Sequence, residues 1–231
     1  MTRGLFKLLM CSLLFAGCNR QSSVENKAAL PSLPVVAIED IPAPKIQKVM
    51  IGRGQNLRLI GSAAYGHERF SGFVAVLNRI PDPERIGEGV ELKTPSLGVA
   101  FRDAEMDQAY QPVLNVLAKA CTDYFSIEPA YLAARQASGV QRGNFSIPAD
   151  IQAKLVACAD AIDAAVARLS AVKPPHGVPK LAIGQFRQAA KQIRELARGS
   201  IDGDGYDYDM VGQRFGLAFT NALIWTQQGH R

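Results

Sequence analysis

Aromatic residues make up only 7% of this 231-residue chain, and no run of lysine and arginine is interleaved with them. A nucleic-acid surface needs a basic face with stacking rings, so nucleic acid is not an expected partner. The histidines are three, His67, His176 and His230, and none pairs with another at metal-ligand spacing. His67-Glu68 lacks the second histidine four residues on that a zinc-peptidase helix requires. No metal site and no other cofactor is therefore expected. Long apolar runs are also missing. The most apolar stretch, Leu8 to Phe15, is interrupted by Cys11 and Ser12 and is too short to span a bilayer. What is present suits a folded chain: 48% hydrophobic and 20% charged residues can build a core. The net charge of +5 suits anionic envelope polymers, membranes or nucleic acid about equally.

The first residues, MTRGLFKLLMCSLLFAGC, carry Arg3 and Lys7 ahead of the apolar stretch and small residues ahead of Cys18. They read as an export signal. The ending LLFAGC resembles the lipobox of bacterial lipoproteins, with Phe15 where leucine is usual. The resemblance implies a signal peptide over 1–17, cleavage before Cys18, and a lipid on the Cys18 thiol that anchors the chain to a membrane. Asn19 after the cysteine implies the periplasmic face of the outer membrane in a host with two membranes. Removing Arg3 and Lys7 leaves 24 basic against 21 acidic residues, or +3.

Residues 18–45 form a proline-rich linker, with Pro31, Pro34, Pro42 and Pro44 and no helical period. It reads as an extended tether. The alternative is a partly ordered strand around PVVAI that packs on the domain behind it.

Residues 46–96 are the compact unit. QKVMI suits a strand, Gly54 a tight turn, and Asn56 the cap of a helix over Leu57 to Tyr65 that Gly66 ends. A second helix places Phe70, Phe73, Val74 and Leu77 at helical spacing. PDP stops it, and GVELKTP is a second strand with Val90 and Leu92 facing one way. This strand–helix–helix–strand order, with Gly54-Gln55-Asn56-Leu57, Ile60, Tyr65-Gly66, Asn78, Ile80, Pro83, Ile86, Gly89, Leu92 and Pro95, resembles a LysM domain. Gln55 and Arg58 depart from the commoner acidic and aromatic residues. The resemblance implies a shallow groove for N-acetylglucosamine-containing glycan, that is, peptidoglycan. By position one wall is Gly54, Gln55, Asn56, Leu57 and Arg58. The other is Asn78, Arg79, Ile80, Pro81, Asp82 and Ile86.

Residues 98–231 read as an all-α bundle of four or five helices. One is expected over the stretch from Asp103 to Phe125, with Pro112 at its start or a kink, and a separate shorter one over IEPAYLAARQAS. The clearest carries Ile151, Leu155, Ala159 or Cys158, Ile162, Val166 and Leu169 on one stripe, capped by Ser146 and opened by Pro148. Phe186, Ala190, Ile193 and Ala197 make the next stripe, and Val211, Phe215, Ala218, Ala222 and Trp225 the last.

Chemistry is scarce in the bundle. Cys121 and Cys158 are an even pair in an exported protein, and a disulfide between them is expected over a thiolate nucleophile. Asp202, Asp204, Asp207 and Asp209 tempt a calcium reading, but the loop breaks the EF-hand order. Asp207 or Asp209 capping the last helix is preferred. Glu105, Glu128 and Glu195 are the candidate acids for glycan cleavage. Glu128 at an expected helix start would be held ionised, the wrong state for an acid. The fold class is α+β, a small βααβ LysM-like module followed by the bundle. The function expected is a non-enzymatic envelope lipoprotein, a scaffold or adaptor on peptidoglycan whose bundle meets an envelope protein partner. The alternative is a peptidoglycan-targeted hydrolase with catalysis in the bundle.

Overall fold

The computed structural model describes residues 30–105, 108–140, 143–171, 178–201 and 206–228. The export signal, Cys18 and residues 202–205 of the acidic loop lie outside them. The described chain is mostly helical, with a small two-stranded antiparallel sheet beside a helical bundle.

The sheet pairs β1 (Lys48–Met50) with β2 (Glu91–Lys93), Val49 opposite Leu92. Between them run α1 (Leu57–Tyr65), a 3-10 turn (Glu68–Phe70) and α2 (Ser71–Leu77). The Asn56 side chain accepts the Leu59 N–H at 3.0 Å and so caps α1. Gly66 closes it in the left-handed conformation at φ 88°. Two further bonds lock the unit. The Tyr65 hydroxyl donates to the Pro95 carbonyl at 2.9 Å, tying the end of α1 to the end of β2. The Asn78 amide donates to the Val74 and Lys93 carbonyls at 2.9 Å each, while its oxygen accepts the Lys93 N–H at 2.7 Å. One side chain thus clamps α2 onto β2. Val90 lies just outside β2 and is exposed, whereas Leu92 is fully buried.

The bundle follows as α3 (Leu97–Asp103), α4 (Gln111–Ser138), α5 (Ala149–Ala171), α6 (Lys180–Ala197) and α7 (Tyr206–Gln228). α5 packs on α4 and α6, and α6 on α7. The stripes read from the sequence are buried on α5, α6 and α7, with Trp225 partly so. Two expectations change. The helix expected to end near Phe125 runs on through Pro129 as one 28-residue helix. Buried Tyr124, Ile127 and Tyr131 hold both sides of the proline in the core, which offsets the lost backbone bond. A short bridge between β3 (Gly143–Asn144) and β4 (Ser200–Ile201) also ties the α4–α5 connection to the end of α6.

The linker, from residue 30 on, lies against the bundle, in keeping with the packed alternative, although it forms no strand. Ile41 is buried, the Asn115 amide donates to the Val36 carbonyl at 3.0 Å, and Arg168 reaches the Pro31 carbonyl at 3.4 Å. A 3-10 turn at Ile38–Asp40 is closed by the Asp40 carboxylate accepting the Ala37 N–H.

The βααβ unit docks on α7 along a ridge of small residues. A Cβ at Gly212 would fall 2.5 Å from the His67 ring, and one at Gly216 2.7 Å from the Arg69 carbonyl carbon. A Cβ at Gly72 would meet Thr220 at 3.1 Å. Glycines four apart on α7 therefore admit the 3-10 turn to backbone contact. The scarce aromatics gather at this junction: Phe70 stacks with Tyr65 at 5.2 Å and with Phe219 of α7 at 6.1 Å. One contiguous core runs from Ile41 to Leu223.

Candidate functional site

The antiparallel register sets the chain leaving β1 beside the chain entering β2. The Ile51 N–H donates to the Val90 carbonyl at 2.9 Å, and the Gly89 N–H to the Ile51 carbonyl at 2.8 Å. The turn 52–56 and the stretch before β2 therefore open on the same end of the sheet. Gly54 takes φ 78°, and the turn closes on itself through the Gln55 N–H to the Gly52 carbonyl and the Gly52 N–H to the Gln55 amide oxygen, 3.1 and 3.0 Å. On the second segment Arg79 takes φ 55°, a left-handed turn after α2. Asp82 accepts the Glu84 N–H at 3.0 Å, and its other oxygen lies 3.5 Å from Arg85.

The expected walls divide on inspection. Gly54, Gln55, Asn56, Arg58, Arg79, Pro81 and Asp82 are exposed; Ile80 and Ile86 are half-buried against the core. Leu57 is 2% exposed and belongs to the core, so it offers no apolar surface to an acetyl group. Its helical neighbour Leu59 is exposed instead. The Asn78 amide is committed to the Val74 and Lys93 backbones, so its side chain shapes the second segment from behind.

The cysteines depart from expectation. Cys121 on α4 and Cys158 on α5 are both free and buried, and the disulfide is not made. They sit as small apolar side chains in the α4–α5 contact. Burial pushes the Cys121 thiol well up, and the neighbouring Cys158 pushes it further. Burial raises the Cys158 thiol to about 12. Neither is the depressed thiolate that nucleophilic chemistry requires.

A second cluster lies where the βααβ unit meets the bundle, and sequence reading missed it. His67 is almost buried; its Nδ1 accepts the Arg69 N–H at 3.1 Å, so the ring proton sits on Nε2 and is donated to Asp209 of α7 at 2.9 Å. Glu128 of α4 lies near enough to Asp209 to feel its charge. Its carboxyl is raised above the usual glutamate range, first by burial, with the nearby Asp209 carboxylate adding to it. The reading of Glu128 as held ionised at a helix start is corrected by the continuity of α4: Glu128 is mid-helix, without free N–H groups to favour its charge. Asp209 spends its carboxylate on His67 in the first turn of α7. Sequence spacing carried no signal for this cluster, because its members come from three separate elements. Among the described residues no group of three or more His, Cys, Asp or Glu side chains is placed to hold a metal ion. Nor is any helix among them long and apolar enough to cross a membrane.

No protein-family model matches the chain, and no curated protein or solved structure matches it.

Proposed function

We propose that residues 46–96 act as a LysM-like reader of N-acetylglucosamine-containing glycan, and that the protein is an envelope lipoprotein docked on peptidoglycan. The observation that carries the reading is the β1–α1–α2–β2 order with β1 paired to β2, which sets the Gly54 turn beside the stretch before β2. Gln55, Asn56 and Arg58 then offer amide and guanidinium partners to sugar hydroxyls, while Ile80 and Pro81 offer apolar contact to acetyl groups. Such a shallow surface binds weakly on its own. A lipid on Cys18 at the periplasmic face of a membrane raises its effective concentration on the wall. The bundle in this reading is a scaffold that meets an envelope protein partner, and no catalysis is assigned to it.

The test uses the whole mature chain, because the βααβ unit buries Phe70 and His67 against α7. Protein carrying Cys18→Ser, and so lipid-free, is mixed with insoluble peptidoglycan and sedimented. Wild-type loops are expected to co-sediment. Arg79→Gly with Pro81→Ser, at two exposed positions, is expected to stay in the supernatant with an unchanged circular dichroism spectrum. Equal sedimentation of the folded double variant would rule the surface out. In parallel, a clickable fatty acid is expected to label wild-type cells and not Cys18→Ala cells.

The raised Glu128 carboxyl beside Asp209 favours one second reading, a wall hydrolase in which Glu128 donates the proton. Soluble glycan fragments released by wild type and not by Glu128→Gln would establish it; their absence leaves the scaffold.

A further inference from the structure

We propose that the cleft between α4 and α5 is a binding site for a single acyl chain ending in a carboxylate. The cleft measures about 460 Å³, at the low end of the roughly 300–1,000 Å³ typical of small-molecule sites. It has room for one chain rather than two. Its floor is apolar: Val116, Ala120 and Ile127 of α4 face Cys158 and Ala161 of α5. Alanines stand where larger side chains would close the gap between two packed helices. The Cys158 thiol, raised to about 12 by burial, stays protonated and serves as apolar wall.

The segment ahead of β1 roofs one side. Pro34 and Val36 line the cleft, and the bond from Asn115 to the Val36 carbonyl fixes that strap in place. Val35, between them, points to solvent at 99% exposure.

The charged groups choose the end group. Lys119 of α4 and Lys154 of α5 stand on opposite walls, with Asp123 the one carboxylate among the lining residues. Asp123 is taken by Lys119. Lys154 has Asp150 at 3.7 Å, beyond hydrogen-bond reach. Lys119 is thus held by Asp123, and Lys154 only by the looser, exposed pair with Asp150, which stands outside the lining; Lys154 is the ammonium group an anion in the cleft would engage. An apolar cavity of this kind gains little from water and much from methylene groups. The site is independent of the glycan reading, since none of its residues lies between 46 and 96.

The probe is dodecanoate, titrated calorimetrically into the chain from residue 18 onward with Cys18→Ser, in detergent-free buffer. Saturable one-to-one binding is expected, with 1-dodecanol binding about three- to tenfold more weakly. Ala161→Phe is expected to weaken dodecanoate at least about tenfold. Ala157→Leu, at an exposed position on the same wall, should do likewise and decides the matter if the first variant fails to fold. Lys154→Ala should remove the preference for carboxylate over alcohol. Absence of saturable binding, or wild-type affinity in a filled variant of unchanged melting temperature, would overturn the site. Equal affinity for the alcohol would overturn the anionic end. Peptidoglycan sedimentation is expected to be the same with and without dodecanoate, so the two readings fail separately.

Discussion

The two faces of the βααβ unit are built by opposite rules. The face toward α7 is dry and exact: His67, Phe70 and Phe73 are buried, and Gly212 and Gly216 allow backbone to meet backbone. The face at the end of the sheet is polar and held from within, by the Gly52–Gln55 turn and the Asn78 clamp. Attachment therefore uses mostly buried side chains, Phe70 and His67 among them. In the proposed glycan reading, recognition falls to loops whose shape is set by hydrogen bonds behind them. Asn78 defines its loop by bonding the Val74 and Lys93 backbones, and on the proposed reading other, exposed residues would touch the glycan.

The strongest way to break the contrast is at the docked face. Gly216→Val places methyl groups on the Arg69 carbonyl and is expected to destabilise by about 3 kcal/mol, read as a lower urea midpoint. Gly184→Ala, on α6 with nothing within 4 Å of its added Cβ, is the control. It should instead stabilise by roughly 0.5–1 kcal/mol. If the two glycines respond alike, docking does not depend on close approach.

A smaller effect is expected from the clamp. Asn78→Ala removes three hydrogen bonds and should cost about 2 kcal/mol. It should also speed amide exchange at Lys93, where an N–H loses its acceptor. Exchange unchanged at Lys93 would mean that β2 is held by its pairing with β1 alone.

The smallest effect tests the cluster at the junction. A carboxyl raised in the folded state binds its proton more tightly there than in the unfolded chain. Folding stability is then full at acidic pH and falls as pH rises from the ordinary glutamate range toward the raised value. Because Glu128 is only half-buried, the slope should be shallow. Glu128→Gln should flatten it and raise stability at neutral pH. A wild-type and variant difference that is constant with pH would remove burial as the cause.

Much of this architecture is legible in the chain. The Asn56 cap, the Gly66 stop and the stripes of α5, α6 and α7 are local signals, carried by spacings of three and four residues. Pro129 misled because its effect on a helix depends on the packing of Tyr124 and Tyr131 around it, which no window of sequence contains. The candidate surface was half legible. Exposure of Gln55, Arg58 and Pro81 agrees with a position in loops. Leu57, however, carries the same apolar label whether it faces a ligand or the core.

By itself the sequence determined where chain direction changes, which residues cap each turn and which stripe of each helix turns inward. Those outcomes rest on backbone sterics and on periodicity, both local. Only the tertiary structure decided that Gly54 serves a turn while Gly216 serves a contact. It also laid residues 30–41 as a strap, left Cys121 and Cys158 as free thiols, and brought Glu128 to His67 and Asp209. Each depends on what lies across from a residue, and burial, close approach and electrostatic coupling are set by that neighbour and not by position along the chain.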